Sequence, residues 1–372
     1  MPPMGDSSDA SGVSAGASTG ASAGGSAGAS AGASAGPSGA GDRRDARPLG
    51  EFDLIDRFFG RAGRAGRTEG GAVTLGIGDD CAVLTPSAGH QWLVTADMLV
   101  EGRHFLSTVS PRRLGHKALA VNLSDLAACG ATPKAFFLSL ALPRVDEAFL
   151  AGFAQGLFEL ADAHHIVLAG GDTTAGPLNI NITAMGEVPA GQALLRSGAK
   201  PGDEVWVSGT LGDARLALEV FRGTLSLSAS QFDEARLRME MPEPRVALGR
   251  ALRGIATSAV DVSDGLAGDI GHVLKRSQVG ATLRLADLPR SGVLGAMPED
   301  VQQLCLLTGG DDYELVFTAP ADARERVLEA GRASGTPVYR VGRIDEEPGL
   351  RVVDGVGRPL QHRLQSFDHF KS

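Results

Sequence analysis

The sequence predicts an α/β (α+β) protein of two domains of similar size, with mixed sheets flanked by helices. Three observations carry that expectation. From Gly50 onward, apolar residues recur by turns at strand period and at helical period. The alternation Leu178-Asn179-Ile180-Asn181-Ile182-Thr183 calls for half-buried antiparallel sheet in places rather than a uniform βαβ series. A Gly-rich polar stretch, Pro189 to Gly202, separates two such mixtures. The expected divisions are therefore 1–47, 48–188 and 189–372.

Residues 1–47 repeat Ala, Ser and Gly and carry almost no apolar side chain larger than Ala. Such a segment buries too little surface to offset its ordering entropy and is expected to be disordered. It repeats the hydrolase pattern G-x-S-x-G, as in Gly28-Ala29-Ser30-Ala31-Gly32. That pattern works only on a strained strand-to-helix turn, so here it is an accident of composition. In the first domain, strands are expected at Val73–Leu75, Gln91–Ala96, Ala135–Leu142, Ile166–Ala169 and Leu178–Val188. Helices are expected at Pro111–Cys129, with Ser110 as cap and Gly130 at the end, and at Asp146–His164. In the second, strands are expected at Glu204–Ser208, Ser258–Asp261, Ala281–Leu285, Tyr313–Thr318 and Val338–Val341. Its helices are expected at Asp213–Phe221, Arg245–Ile255, Asp264–Lys275 and Ala321–Ala333.

The 372 residues hold 35 Lys+Arg against 44 Asp+Glu, a net charge of −9. An acidic chain is a poor nucleic-acid binder, because that affinity comes from basic side chains on phosphates. No apolar run approaches the length of a membrane helix, and the N-terminus lacks the basic start and apolar block of a secretory signal. A cytoplasmic protein without membrane partners is expected. Cys81, Cys129 and Cys305 are too few and too widely spaced for a disulfide framework or a Cys-built zinc site, and read most simply as buried small residues. Only five residues are Lys and none follows Gly, so the phosphate loop G-x-x-x-x-G-K-[ST] is absent.

A set of Asp residues stands beside Gly, Ser or Thr at the ends of expected strands. It comprises Asp79-Asp80, Thr95-Ala96-Asp97, Ser124-Asp125, Gly170-Gly171-Asp172, Asp261-Val262-Ser263-Asp264 and Gly309-Gly310-Asp311-Asp312. Any one of these alone reads as a turn or a helix cap. Asp125 is the exception, since Leu114, Ala118, Val121 and Asp125 share one helical stripe with no Lys or Arg one turn away. A carboxylate on a core-facing stripe is costly unless paired or metal-bound. Carboxylates with few lysines suit hard cations such as Mg²⁺, and Gly pairs let backbone N–H groups approach phosphate. Together they point to a metal-bridged phosphate site. Asp125 to Asp172 and Asp264 to Asp311 are each 47 residues apart, by duplication or by coincidence.

In this order, Leu75–Ala82, Lys117–Ala128, Gly170–Thr174, Arg196–Asp203 and Asp261–Leu266 resemble the thiamine-monophosphate kinase family. That family belongs to the aminoimidazole-ribonucleotide-synthetase-like superfamily, and the likeness runs from Gly50-Glu51-Phe52 to Phe367-Asp368-His369-Phe370. The resemblance implies that superfamily's two-domain fold and a dimer formed through the N-terminal sheets. It implies transfer of the γ-phosphoryl of ATP, as co-substrate, to thiamine monophosphate with several Mg²⁺ ions. By position it implies Asp80, Thr95, Asp97, Asp125, Asp172, Asp261 and Asp264 at the metals. Gly171, Asp172, Arg196 and Ser263 would then touch ATP, and His104, Asp311 and Phe367 the thiamine phosphate. Without it, His104 is an ordinary hydrogen-bonded histidine, Arg196 a solvated charge and Phe367 an anchor for the chain end.

The sequence departs from the family pattern in three places. Ala96 stands where the family usually has Thr, Asp311 stands where it has Glu, and the Ala/Gly/Ser tail is additional. No general base is assigned, because a phosphate monoester with a second pKa of about 6 is already nucleophilic at neutral pH. Direct in-line transfer is expected. The alternatives are another ATP-dependent synthetase of the superfamily, or a metal- and nucleotide-binding module without turnover.

Overall fold

The computed structural model describes residues 50–60, 71–78 and 80–360. The Ala/Gly/Ser tail and Phe367 lie outside the described residues. A short helix, α1 (Glu51–Leu54), runs into a π-helical turn at Ile55–Phe59, and β1 (Val73–Leu75) pairs with β2 (Val83–Leu84). There follow β3 (His90–Val100), α2 (Pro111–Ala128), β4 (Thr132–Leu142), α3 (Glu147–His164), β5 (Val167–Ala175) and β6 (Asn179–Pro189). The Ser110 hydroxyl accepts the Arg113 N–H at the start of α2, with Pro111 in the first turn. The four long strands form a sheet in the order β3-β6-β4-β5, in which β4 and β5 are parallel and the other pairs antiparallel.

The second half supplies β7 (Glu204–Ser208), α4 (Asp213–Phe221), α5 (Ala229–Glu240), α6 (Val246–Ala251), β8 (Ser258–Asp261) and α7 (Leu266–Ser277). Then come β9 (Gly280–Arg284), α8 (Gly292–Gly295), α9 (Glu299–Thr308), β10 (Leu315–Ala319), α10 (Arg324–Ser334), β11 (Val338–Asp345) and β12 (Gly349–Val353). Their six strands are ordered β12-β9-β11-β7-β10-β8, and β12 with β9 is the parallel pair. Both sheets are thus mixed and carry helices, as the α/β (α+β) class requires.

Helix α2 sits at the centre. Its Leu119, Leu123 and Leu126 are fully buried and share one core with Ile180 and Ile182 of β6 and Leu138 and Leu140 of β4. The same core continues through Leu248 of α6 to Ala259, Leu315 and Phe317 of the six-stranded sheet. A second core, on the other side of that sheet, gathers Val205, Val207 and Val316 under Leu216 of α4 and Ile270 of α7. Helices α2 and α3 approach closely. A Cβ on Gly115 would lie 2.0 Å from the Phe153 carbonyl oxygen, and one on Gly156 would lie 1.8 Å from that of Arg112.

Several expectations are corrected. Helices α1, α5, α8 and α9 and strands β2 and β12 depart from the expected elements, and α6 ends at Ala251 rather than Ile255. The expected strand at Tyr313 begins instead at Leu315, because Asp311 and Tyr313 take left-handed backbone (φ 68° and 51°). Asp97, Gly171 and Asp172 lie inside strands, not in turns at their ends. Asp125 is helical, Asp172 is in a strand, and Asp264 and Asp311 are in connections, so the 47-residue spacing does not mark equivalent positions. Cys81 is exposed, whereas Cys305 is buried.

Candidate active site

Strand β3 presents alternate residues to opposite faces. Thr95, Asp97 and buried Leu99 face inward, while Val94, Ala96 and Met98 face out. The hydroxyl missing at Ala96 is therefore missing from the far side of the sheet. On the inner side the Thr95 hydroxyl donates to Asp125 Oδ2. The Asp97 N–H donates to Asn122 Oδ1 at 3.2 Å, and Asn181 Nδ2 donates to the Asp97 carbonyl at 3.2 Å. Asn122 is itself fully buried and donates back to the Ala118 carbonyl at 3.2 Å. From the next helical position but one, the buried Ser124 hydroxyl donates to Asp261 Oδ2 at 2.7 Å, which joins α2 to the end of β8. Asp269, in the first turn of α7, accepts the Ser263 and Asp264 N–H groups at 3.0 Å each. The Ser263-Asp264 turn is thereby held against the helix start.

These carboxylates burden one another. Burial, then the charges of Asp125 and Asp264, push Asp97 up to about 6. Burial raises Asp125 too, against the Thr95 hydroxyl and the Arg196 charge. Asp261 is raised well above the ordinary range by burial and by Asp125. Asp269 goes up to about 7 through burial, against the backbone hydrogen bond from Asp264 and in concert with that residue's charge.

Asp97, Asp125, Asp261, Ser263, Asp264, His104 and Asp311 line one cavity of about 610 Å³. Leu99, Leu106, Val121, Leu218 and Phe221 form an apolar wall beside them. Val100 N–H donates to His104 Nδ1 at 3.0 Å, which places the proton of the neutral ring on Nε2. The Lys117 ammonium donates to Asp311 Oδ2 at 2.9 Å and to the His104 carbonyl at 3.2 Å. The Tyr313 hydroxyl donates to Asp311 Oδ1 at 3.1 Å. Thr95 and Arg196 open onto an adjoining cavity of about 470 Å³ that shares Asp125 and Asp261 with the first.

Asp80, Gly171 and Asp172 are elsewhere. They line a cavity of about 870 Å³ with Gly76 and Gly78. The register explains the separation: Asp97, Ile182, Leu138 and Gly171 form one cross-strand row, and Met98, Asn181, Ser139 and Asp172 the next. Cross-strand partners share a face, so Asp172 projects to the side opposite Asp97. Three strand spacings also put the Asp97 and Gly171 backbones about 14 Å apart. Phe367 lies outside the described residues. Lys117, Asn122, Ser124, Asp269 and Tyr313 were missed in the sequence. Of these only Lys117 carried a signal, as a cation that directly precedes the small and apolar run Ala118–Val121.

Comparison with known proteins then identifies the lineage. The profile for AIR synthase related protein, N-terminal domain, matches residues 78–188, and that for its C-terminal domain matches 200–355. Thiamine-monophosphate kinase of Escherichia coli (strain K12) is 44% identical over 324 residues, covering 86% of this chain and 98% of that protein. The chain belongs to the thiamine-monophosphate kinase family. The crystal structure of a thiamine-monophosphate kinase from Stenotrophomonas maltophilia K279a superposes with a TM-score of 0.75 at 46% identity, covering 82% of this chain and 97% of that one. A structure of AaThiL complexed with AMPPCP and TMP gives a TM-score of 0.67 at 29% identity, covering 87% and 97%. The two matched ranges take in both the four-stranded and the six-stranded sheet rather than one motif.

Proposed function

We propose that the protein transfers the γ-phosphoryl group of ATP to thiamine monophosphate, giving thiamine diphosphate and ADP. The observation that carries this reading is the convergence of Asp97, Asp125, Asp261 and Asp264 on one cavity with an apolar wall. An acidic floor repels two phosphate-bearing substrates unless cations intervene. The donor set fits Mg²⁺: carboxylates raised by burial and mutual repulsion gain from a hard cation. Among the described residues no three His, Cys, Asp or Glu side chains form a preformed cluster. Asp97, Asp125, Asp261 and Asp264, with the Thr95 hydroxyl, would hold it; Asp80 and Asp172 are assigned to the metals as well. When bound, Mg²⁺ neutralises charge on the transferring phosphoryl group.

In the same reading Arg196 and Ser263 serve ATP, and His104, Asp311 and Phe367 serve thiamine monophosphate; Gly171 and Asp172, in the separate 870 Å³ cavity, are assigned to ATP by the family resemblance and not by this geometry. The apolar wall of Leu99, Leu106 and Phe221 shelters the substrate's rings from water. A terminal phosphate oxygen attacks Pγ, the bond from Pγ to the β,γ-bridging oxygen breaks, and ADP leaves. No side chain need remove a proton, and the work is positioning. Residues 48–188 and 189–372 act as two domains that share the site. The protein works in the cytoplasm as a homodimer, with neither nucleic acid nor membrane as partner. No helix among the described residues is long and apolar enough to cross a membrane.

Incubation with ATP, Mg²⁺ and thiamine monophosphate should yield thiamine diphosphate and ADP in equal amounts. ATP hydrolysis without thiamine diphosphate would sink the substrate assignment. Rapid quenching with γ-labelled ATP should leave no labelled side chain; a trapped phosphoenzyme would rule out direct transfer.

A further inference from the structure

Lys117 is 2% exposed, the one charged side chain among the buried residues of its helix. A buried ammonium is costly unless paired and hydrogen-bonded, and this one has two acceptors from distant parts of the chain. One is Asp311 Oδ2, 2.9 Å away in the turn before β10. The other is the His104 carbonyl, 3.2 Å away in the turn after β3. Both turns are walls of the 610 Å³ cavity, while Lys117 itself lies behind them and does not line it. Asp311 needs such a hold. Its backbone is left-handed, at φ 68°, which side chains other than Gly adopt only when the surroundings impose it. Its second oxygen is fixed by the Tyr313 hydroxyl.

We propose that Lys117 is a positioning residue for the thiamine monophosphate site. Its ammonium clamps the His104 turn to the Asp311 turn and orients the Asp311 carboxylate, acting through these two residues and not on the substrate. This rests on the reading of His104 and Asp311 as substrate contacts. It explains how Asp311, one methylene shorter than the family's Glu, is kept in a defined place: the lysine reaches to it.

The test measures kcat and KM for both substrates in up to four variants. Lys117→Met should raise KM for thiamine monophosphate about tenfold or more, a displaced contact being worth that much, with KM for ATP little changed. The double variant Lys117→Met/Asp311→Asn removes both charges, so no unpaired buried ion remains. It should regain thermal stability while keeping the raised KM. A stable double variant with the parent KM would make the pair purely structural and overturn the inference. Should the double variant not fold, Tyr313→Phe carries the test, since it loses only the hydroxyl on the other Asp311 oxygen. KM for thiamine monophosphate then rises severalfold, or the inference falls. His104→Ala separates the two levels. If it raises that KM and the Lys117 variants do not, the clamp alone is wrong. If neither does while thiamine diphosphate is still made, the substrate lies elsewhere and both fail.

Discussion

Asp97 sums up the tension at the site. Its carboxyl is half-buried, faces Asp125 and Asp264, and is raised to about 6. Asp97→Asn should therefore act in two directions. Phosphoryl transfer should fall by about 100-fold or more, as for loss of a preorganised charge-stabilising group. The melting temperature of the metal-free protein at pH 7.5 should rise, because a repelling charge is gone. A variant that lost both activity and stability would show Asp97 to be structural. The pH dependence has the same origin. Asp97 and Asp269 titrate higher folded than in an unfolded chain, where carboxylates lie near 3.8. Their penalty is absent below that value and grows as pH rises through about 6 and 7. Glu187 works oppositely: against burial, the Ser87 hydroxyl and N–H and Lys134 hold it down to about 2, so its contribution is lost only in acid. Between pH 5 and pH 8 the metal-free protein should thus lose thermal stability, and Mg²⁺ should restore it at pH 8. A flat profile in chelator would refute the account.

At the level of elements, the crossing of α2 and α3 sets how deep the site helix lies. Gly115 and Gly156 each face a backbone carbonyl of the other helix at a distance no Cβ can occupy. Gly115→Ala should cost about 1–3 kcal/mol by overpacking, measured by denaturant unfolding, and should reduce activity through the displacement of Asn122, Ser124 and Asp125. An unchanged midpoint would mean that the helices are free to separate. The sequence made α2 legible because Ser110, Pro111 and Gly130 bracket a periodic run. It left α5 unread: Ser228 and Gln231 form a capping box at its start, but the polar run behind that box hides the helix. Asp97 and Asp172 were read as turn residues because Gly and Thr beside Asp are turn chemistry. Only pairing across the sheet makes them strand residues. The residues that hold the site, Ser124 on the Asp261 carboxylate and Asp269 on the Ser263 N–H, lie 137 and 6 residues from their partners. The first is a long-range contact that no spacing rule exposes.

For the molecule as a whole, the four-stranded sheet divides the assigned residues between its two faces. The outer face carries Val94 and Met98, 60% and 51% exposed, beside the row that holds Asp172. A homodimer formed through this face would cover that apolar surface. The variant Val94→Asp/Met98→Asp should sediment as a monomer at concentrations where the parent is a dimer; a parent that is already monomeric would end the idea. Which side of the sheet each Asp takes was invisible in the sequence, because an error of one residue in register reverses every side chain.

Beyond its first turn, helix α2 has no side that faces water. It touches α3, α6, β3, β6 and β8, and thirteen of its eighteen residues are buried. An element packed on all sides cannot slide or swivel to admit a ligand. Any local rearrangement that admits a ligand must then come from segments outside α2, of which the exposed linker at Leu195–Gly198 is one. Slow amide exchange along α2 beside fast exchange in that linker would be the signature of a fixed anvil with a mobile edge.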